Sequence, residues 1–518
     1  MSKHFRYDDQ TALVQTTGGL VHGYEYDGIS IFKGIPYAKA KRFQDPEPIS
    51  WEGVFEATGY GYACAVVDAA GLSKSMDFVE RYTPQSEDCQ NLNIWTPATD
   101  NGKRPVMVWL HGGAMSFGSS SGDDICEGDN IARFGDVVSV SINHRLNVLG
   151  FCDLSDLGDE KFKNSGNQGI ADLVAALHWI HDNIVAFGGD PDNVTIFGQS
   201  GGGMKVAALL QTPAADGLFH KGIIMSGIQG GALADCVGSG RQMGEFLLHE
   251  TGASSVDALA EIPFPTLAEA FRKMRLKYRF HGVNAGEMPF RGTYYLGDAR
   301  EVPHRPETSQ IPLLVGSTFG EFDAFAARSY RKYQMTEEEQ IARLTEALGE
   351  ECLEQALPLF RKAYPDRPVI DLMALDCMFR CYINEFMNGR VQLNDCTWEY
   401  MFDLDMPSLG GIVPAHGNDL GFVFHTTDRA PGLQEPGVTE KIEKQIFQTV
   451  MTFIRTGDPN NSGIPEWRPS KPGQMHTMIF GKEAEVRDNY DQQLNALLVE
   501  KKLKKQLEFL YTSVARTE

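Results

Sequence analysis

Short apolar runs bounded by turn residues recur along the chain and predict buried strands. They occupy residues 105–113, 136–143, 193–198, 221–227, 311–317 and 397–405. Between several of them lie stretches with helical periodicity, such as 169–188, where apolar residues recur every three or four positions. Strands that alternate with helices predict an α/β fold, with a mainly parallel sheet and helices on both of its faces.

Two regions interrupt this alternation. Residues from about 235 to 305 and from about 325 to 395 are helical, charged and poor in strand patterns. Such excursions over or beside a sheet usually shape a binding cleft. No repeat, low-complexity tract or linker divides the chain, so we expect a single domain over residues 1–518. The segment 483–514 predicts a C-terminal helix with a charged outer face.

Composition narrows the kind of protein. The chain is 42% hydrophobic and 22% charged, and it has no apolar run of the roughly 18 residues that a membrane helix needs. Its net charge of −22 disfavours nucleic acid and anionic membranes as partners. The mixed charges at the start do not resemble a secretory signal, so we expect a soluble, cytoplasmic protein. Nine cysteines without metal-type spacing predict reduced thiols and no metal site.

One serine stands among glycines in residues 198–202, Gly-Gln-Ser-Gly-Gly, between a predicted strand and a predicted helix. This is the setting of a nucleophile elbow, in which small flanking residues allow a strained strand-to-helix turn that exposes the serine hydroxyl. A phosphate-binding turn or a merely tight turn is the alternative. The flanking strand and helix favour Ser200 as a nucleophile.

A serine that transfers acyl groups also needs backbone N–H groups to bind the oxyanion. In this kind of fold they come from the residue after the nucleophile and from a glycine-rich loop after an earlier strand. The sequence His-Gly-Gly at 111–113 follows the predicted strand that begins at residue 105. Alone it would fit a simple β-turn, but with the elbow it makes Gly112, Gly113 and Gly201 candidate oxyanion donors.

The general base is expected to be a histidine late in the chain, because this fold orders its triad as serine, acid and histidine. His416 lies in a glycine-containing turn about a dozen residues after the strand predicted at 397–405. His425 is the nearest rival, but it follows an apolar run and is expected to pack against the protein.

The acid is expected after the preceding predicted strand, at 311–317. Glu321 lies four residues beyond the end of that strand, and Asp323 is the alternative. A carboxylate at this point is exposed by default, so position in the sequence leaves the choice between the two open.

These motifs together resemble the type-B carboxylesterase family, the carboxylesterase and cholinesterase group of the α/β-hydrolases, and most of all its bacterial para-nitrobenzyl esterase branch. The resemblance runs nearly end to end through "FKGIPYAKAKRF", "SEDCQNLNIWTP", "HGGAMSFG", "NHRLNVLGF", "FGGDPDNVTIFGQSGGG", "AHGNDL" and "RTGDPN". It implies an α/β-hydrolase fold with a large, mixed but mostly parallel sheet and helical insertions around an active-site cleft.

Carried over residue by residue, the resemblance implies that Ser200 is the nucleophile, Glu321 the acid and His416 the base, with oxyanion donors Gly112, Gly113 and Gly201. The family's acid motif favours Glu321 over Asp323. The resemblance also implies a hydrogen bond from Ser226 near the acid, although a strand-end serine without a role fits as well. It further implies two structural ion pairs, Arg42 with Glu87 and Arg145 with Asp172.

The elbow departs from the family pattern Gly-Glu-Ser-Ala-Gly. Gln199 replaces the glutamate, so a charge near the nucleophile is lost, and Gly201 replaces the alanine, so an oxyanion N–H rests on a more flexible residue. Other departures are His144, Leu173 and Asp419, where the family commonly has tyrosine, glutamine and glutamate. Cys64 and Cys89 stand where secreted relatives form a disulfide, but we expect free thiols here.

The predicted function is hydrolysis of small-molecule carboxylic esters through an acyl-enzyme, without a metal or organic cofactor. Aromatic residues in cleft-forming segments favour small to medium apolar or aryl esters. The residues expected to line the pocket are Met115, Phe117, Phe290, Tyr294, Tyr295, Phe319 and Phe322. The same machinery would also act on amides, carbamates or lactones. A catalytically silent binding protein would have lost the serine or the histidine, and the choice between monomer and dimer stays open.

Overall fold

The computed structural model of the chain describes residues 4–67, 81–228, 240–278, 286, 288–325, 332–407 and 411–503. The chain forms two compact units. The first unit comprises Met1–Ile224, Gly231–Pro312 and Ile454–Gly457, and the second comprises Met225–Gly230, Leu313–Phe453 and Asp458–Glu518. The single domain expected from the sequence stays a prediction.

The first unit is built on a sheet whose neighbouring strands follow the order β1-β4-β5-β9-β11-β10-β12-β13. The strands of this unit are β1 Phe5–Arg6, β2 Leu13–Gln15, β3 Leu20–His22, β4 Tyr24–Tyr26, β5 Ile29–Pro36, β6 Val54–Glu56, β7 Ala63–Cys64, β8 Gln85–Ser86, β9 Asn91–Thr96, β10 Arg104–Leu110, β11 Val138–Ile142, β12 Gly189–Gln199 and β13 Lys221–Met225, of which β13 ends in a residue assigned to the second unit. β10 runs parallel to both β11 and β12, whereas β9 runs antiparallel to β11 and to β5. Every residue of β9 and β11 is buried, as expected for central strands covered on both faces.

The first unit has seven α-helices in its described residues. They are α1 Asp129–Gly135, α2 Asn147–Gly150, α3 Gln168–Asn183, α4 Gly201–Leu210, α5 Gly240–Thr251, α6 Val256–Ala260 and α7 Phe264–Tyr278. The last three of them lie in the first predicted excursion, at about 235–305. The stretch Glu160–Phe187, which contains α3, would be long and apolar enough to cross a membrane, but 67% of its apolar window is buried inside the protein. A core helix of a globular protein has this pattern.

Both ion pairs implied by the resemblance are present in the first unit, which confirms them. Arg42 Nε donates to Glu87 Oε2 at 2.7 Å, and Arg145 Nη2 donates to Asp172 Oδ1 at 2.7 Å. Arg145 and Asp172 are both almost fully buried, so the charge of either side chain would be uncompensated if its partner were removed.

The second unit contains three parallel strands and one antiparallel strand. Its strands are β14 Leu313–Thr318, β15 Thr397–Phe402, β16 His476–Phe480 and β17 Ala484–Asp488, hydrogen-bonded in that order. β14, β15 and β16 are parallel, and β17 pairs antiparallel with β16. Its helices are α8 Glu337–Leu348, α9 Glu350–Ala363, α10 Met378–Arg390, α11 Leu420–Phe424, α12 Thr439–Thr456 and α13 Gln492–Leu498, of which α12 ends in residues assigned to the first unit.

All six strands predicted from apolar runs are confirmed as β10 to β15. The described parts of the two predicted excursions contain α5–α7 and α8–α10, but residues 288–305 form neither a helix nor a strand. Residues 235–239, 279–285, 287 and 326–331 lie outside the described part. The C-terminal helix predicted over 483–514 is wrong at its start, because Ala484–Asp488 forms a strand. Glu485 and Asp488 are exposed on this outermost strand, where burial does not select against charged residues. The predicted helix is present only as α13 and a following π-helical turn, Val499–Leu503, and residues beyond 503 lie outside the described part.

Candidate active site

The turn between β12 and α4 carries Ser200. Its backbone has φ 58° and ψ −125°, a conformation that residues with a side chain rarely adopt. A Cβ on Gly198 would overlap the backbone of Gly202, and a Cβ on Gly202 would overlap the carbonyl of Leu110, so only glycine fits at these two positions. α4 begins at Gly201, which places Ser200 at the positive end of a ten-residue helix. This geometry is that of a nucleophile elbow.

The glycine-rich loop after β10 lies against the elbow. A Cβ on Gly112 would be 3.7 Å from the Cβ of Ser200, so this glycine passes beside the serine. Gly201 packs so closely against Ala114 that a Cβ there would overlap the Ala114 backbone. Gly113 turns the loop with a φ of 88°. The N–H of Gly201 belongs to the first turn of α4, where backbone donors have no acceptor within the helix.

Two further side chains of the first unit lie beneath this loop. Gln199 is buried, and its Oε1 would be 3.6 Å from a Cβ on Gly112. Lys205, in α4, has no exposed surface, and its Nζ donates to the carbonyl of His111 at 2.7 Å. The sequence indicated Gln199 but not Lys205, because the apolar pattern of α4 does not show which face of the helix meets the loop.

In the second unit, Glu321 and His416 form a hydrogen-bonded pair. His416 Nδ1 bonds Glu321 Oε2, and the backbone N–H of His416 donates to the Glu321 carbonyl at 3.2 Å. Glu321 Oε1 accepts from Ser226 Oγ at 2.6 Å and from the backbone N–H of Thr318 at 2.7 Å. Glu321 is fully buried, so these donors replace the water that its carboxylate would otherwise need. The structure thus brings together Glu321, His416 and Ser226 within the second unit, with the Ser226 hydrogen bond that the resemblance implied.

The two alternatives from the sequence lie elsewhere in the second unit. Asp323 is partly exposed in the turn after Glu321. His425 Nδ1 lies 3.3 Å from Glu443 Oε1, and its ring stacks on Phe447 with centroids 4.7 Å apart. The packing expected for His425 is therefore present.

Two aromatic rings contact the imidazole of His416. Phe322 lies at 4.3 Å between ring centroids and Phe379 stacks at 5.1 Å. His416 itself is 2% exposed, whereas Phe322 is 37% exposed. Phe379 was missed by sequence reasoning, because α10 lies about 40 residues before His416 and has no motif of its own.

A model of the carboxylesterase family matches residues 10–497 of the chain. The chain belongs to the carboxylesterase family. This carboxylesterase therefore hydrolyses carboxylic esters, and its fold is the α/β-hydrolase fold, as predicted from the sequence.

Individual relatives cover nearly the whole carboxylesterase chain. The para-nitrobenzyl esterase of Bacillus subtilis (strain 168) is 32% identical over 495 residues, which span 92% of this chain and 96% of that protein. The solved structure of an esterase from Clostridium hathewayi, described as hydrolysing aliphatic aromatic polyesters, is 42% identical with a TM-score of 0.92 and covers 96% of this chain and 100% of its own. The carboxylesterase of Geobacillus stearothermophilus at pH 6.2 is 32% identical with a TM-score of 0.73, covering 94% and 99%.

Two more buried carboxyl groups of the carboxylesterase surround Glu321, and we call Glu321, Asp376 and Asp419 the carboxyl cluster. Burial, followed by the charge of Glu321, raises the pKa of Asp376 and that of Asp419 to about 7. Asp376 accepts from the backbone N–H groups at the start of α10, and Asp419 Oδ2 accepts from Tyr400 Oη at 2.8 Å. Asp376 was missed, because its neighbours in the cluster are more than 40 residues away in sequence.

The predicted pocket residues of the carboxylesterase have different environments. Phe117, Tyr294 and Phe322 retain accessible surface, whereas Met115, Phe290, Tyr295 and Phe319 are buried. Phe319 packs edge-on against Tyr364 at 5.1 Å, with the Arg367 guanidinium 4.0 Å above its ring. These contacts favour a packing role for Phe319 rather than contact with substrate.

A metal site in the described ranges of the carboxylesterase would need several ligating side chains close together. Those ranges contain no group of three or more His, Cys, Asp or Glu side chains arranged to hold a metal ion. Among the cysteines that the structure describes, Cys64, Cys89, Cys126, Cys152 and Cys396 are free thiols, and all of these but Cys396 are buried.

Proposed function

We propose that Ser200 is the nucleophile of the ester hydrolysis, His416 its general base and Glu321 the acid that orients the base. The observation that carries this proposal is the backbone of Ser200, at φ 58° and ψ −125°, between a strand and the start of a helix. Such strain is retained where the surrounding structure holds a reacting group in place. The tight glycine contacts on both sides of the serine supply that support.

The hydrogen bonds of the second unit support the roles proposed for Glu321 and His416. Since Glu321 accepts at Nδ1 of His416, the proton of the neutral imidazole lies on Nδ1 and Nε2 carries the lone pair. Nε2 takes the proton of Ser200 as the hydroxyl attacks the ester carbonyl, and it then protonates the leaving alcohol. Water activated by the same nitrogen releases the acid from the acyl-enzyme.

We propose that the N–H groups of Gly112, Gly113 and Gly201 bind the oxyanion of the tetrahedral intermediate. The contacts of Gly112 with Ser200 and of Gly201 with the Gly112–Ala114 loop support this assignment. Backbone donors fixed in advance stabilise the charge that develops during reaction without reorganising at that moment.

We propose small to medium apolar or aryl esters as substrates. Phe322 presents an exposed aromatic face beside the His416 imidazole, and Phe117 retains accessible surface in the glycine-rich loop. Aromatic surface near the reacting groups favours apolar groups on the substrate. The free thiols of the described cysteines support a reducing, cytoplasmic location.

The experiment compares wild type, Ser200→Ala and His416→Ala on para-nitrophenyl esters, with His425→Ala as the matched histidine control. We expect Ser200→Ala and His416→Ala each to lower kcat by at least about 10³-fold, and the double variant to lose little more, because the residues act as one unit. His425→Ala should keep wild-type kcat. A fluorophosphonate should label Ser200 in wild type and not in Ser200→Ala.

Substantial turnover by Ser200→Ala, or labelling at another serine, would contradict the proposed roles. A series of acyl chain lengths then measures the size of the acyl pocket. An aliphatic aromatic polyester, the substrate named for the Clostridium hathewayi esterase, extends the same series to larger aryl esters.

A further inference from the structure

Lys205 is a buried cation placed under the proposed oxyanion loop. It lies five residues after Ser200 in α4 and has no exposed surface. Lysine is rarely buried completely unless an acid pairs with it, and the ion pairs found among the described residues do not include Lys205. Its ammonium instead donates a hydrogen bond to the carbonyl of His111, at 2.7 Å.

That carbonyl belongs to the peptide unit whose N–H is the proposed oxyanion donor. The C=O of His111 and the N–H of Gly112 lie in one rigid plane and point in opposite directions. Lys205 holds the oxygen end of this plane, while Gly112, at its nitrogen end, passes beside Ser200. A donor on the carbonyl polarises the peptide and strengthens its N–H as a donor, because hydrogen bonds in a chain reinforce one another.

We propose that Lys205 is a positioning residue of the oxyanion site, which fixes the 111–112 peptide through the His111 carbonyl and adds its positive charge to the field that stabilises the oxyanion. The proposal rests on the proposed function of Ser200 and Gly112. The five residues of the elbow motif carry no charge, because Gln199, the residue before the proposed nucleophile, is neutral. The proposal assigns a role to the charge of Lys205, which lies outside the motif.

The titratable groups around the Lys205 amine are His111, His144 and Cys64. The two imidazoles stack with centroids 5.1 Å apart, and Nδ1 of each bonds a backbone carbonyl at 2.8 Å. Burial, followed by the charge of Lys205, holds the pKa of both histidines well below the ordinary value, and His111 lowers that of His144 further. Both imidazoles are therefore neutral at working pH, and the amine supplies the positive charge of this cluster.

The charge of Lys205 depends on pH in the range where the enzyme is assayed. Burial lowers the pKa of Lys205 to about 7, with a small opposing effect of Cys64. A lysine is charged below its pKa, so the contribution to the oxyanion is present at pH 6 and is lost as pH rises through about 7.

The size of the effect follows from the geometry. The path from Nζ through the His111 carbonyl and the peptide to an oxyanion on the Gly112 N–H spans about 8 Å. A unit charge at that distance, with an effective dielectric constant of about 20, changes a transition-state equilibrium by up to about 30-fold. Because the oxyanion forms only after the substrate binds, the loss should fall on kcat and leave KM within about 2-fold.

The test compares wild type with Lys205→Met, which has an unbranched side chain one atom shorter and removes the charge. Lys221→Met is the matched control, because Lys221 is another largely buried lysine, bonded to Asn193. kcat and KM for a para-nitrophenyl ester are measured by pH-stat at pH 6 and pH 9, together with the affinity for a trifluoromethyl ketone, which forms a tetrahedral adduct with the serine. Thermal unfolding of each variant is recorded in parallel.

We expect Lys205→Met to lose 10- to 30-fold in kcat and in ketone affinity at pH 6, and clearly less at pH 9, where the wild-type amine is neutral. Lys221→Met should match wild type at both pH values. Wild-type kcat in Lys205→Met at pH 6, or the same loss at both pH values, would overturn the proposal. Activity that survives in Ser200→Ala would instead overturn the proposed function, which separates the two failures.

A second variant keeps the test decisive if Lys205→Met does not fold. Lys205→Arg retains a charged donor at every pH of the assay, because a guanidinium keeps its proton far above pH 9. It should keep at least one tenth of the wild-type kcat at pH 6, and its kcat should not fall between pH 7 and pH 9. If kcat of Lys205→Arg falls between pH 7 and pH 9 by as much as kcat of wild type, another group causes the fall, and the role proposed for Lys205 is refuted.

Discussion

Asp419 of the carboxyl cluster should make the enzyme less stable as pH rises. In the folded protein, burial and the charge of Glu321 raise the pKa of this carboxyl from 3.8 to about 7. Between these values the folded state keeps the proton and the unfolded chain loses it, so the free energy of unfolding falls with increasing pH. The interval of roughly three pH units, at about 1.36 kcal/mol each, amounts to about 4 kcal/mol.

The substitution Asp419→Asn removes this titration while keeping an oxygen that accepts the bond from Tyr400. About 2.5 kcal/mol of the fall lies between pH 5 and pH 8, so the variant should gain that much over wild type across this interval. The amide also changes stability by an amount that does not depend on pH, and comparing the two pH values removes that constant.

Urea unfolding followed by tryptophan fluorescence at pH 5 and pH 8 measures the difference. Asp428→Asn is the control, because it removes an exposed carboxylate from the segment that follows α11. If the stability difference between Asp419→Asn and wild type is the same at both pH values, Asp419 does not carry a raised pKa and the reasoning fails.

Other substitutions test separate contacts. Gly201→Ala should lower kcat by about 10²-fold, because its Cβ would push away the glycine-rich loop, whereas Gly59→Ala, with open space around its Cβ, should leave kcat unchanged. Ser226→Ala removes a donor to the Glu321 carboxylate and should lower kcat about 10-fold at unchanged KM; an unchanged kcat would show that this bond does not orient the acid. Arg380→Met leaves the buried carboxylates of Glu399 and Asp491 without their cation and should lower the free energy of unfolding, measured by urea titration, by about 3–5 kcal/mol. An unchanged free energy of unfolding would show that these ion pairs do not stabilise the fold.

The features that the sequence revealed are those whose information is local. A buried parallel strand is a continuous apolar run, so β10 to β15 could be found one by one. The elbow contains a strand end, the proposed nucleophile and a helix start within five residues, 198–202. The edge strand Ala484–Asp488 lacked such a signal, because its charged residues follow no burial pattern and resemble a helix surface.

The sequence by itself determined the family, the α/β-hydrolase fold and the residues to consider as nucleophile, acid and base. Only the tertiary structure decided that Glu321, rather than Asp323, bonds His416, that Asp376 and Asp419 are buried near Glu321, and that Lys205 donates to the His111 carbonyl of the glycine-rich loop. The physical reason is the same in each case. Burial and distance set the charge of a group and the partner that it finds, and both depend on segments that are tens of residues apart along the chain.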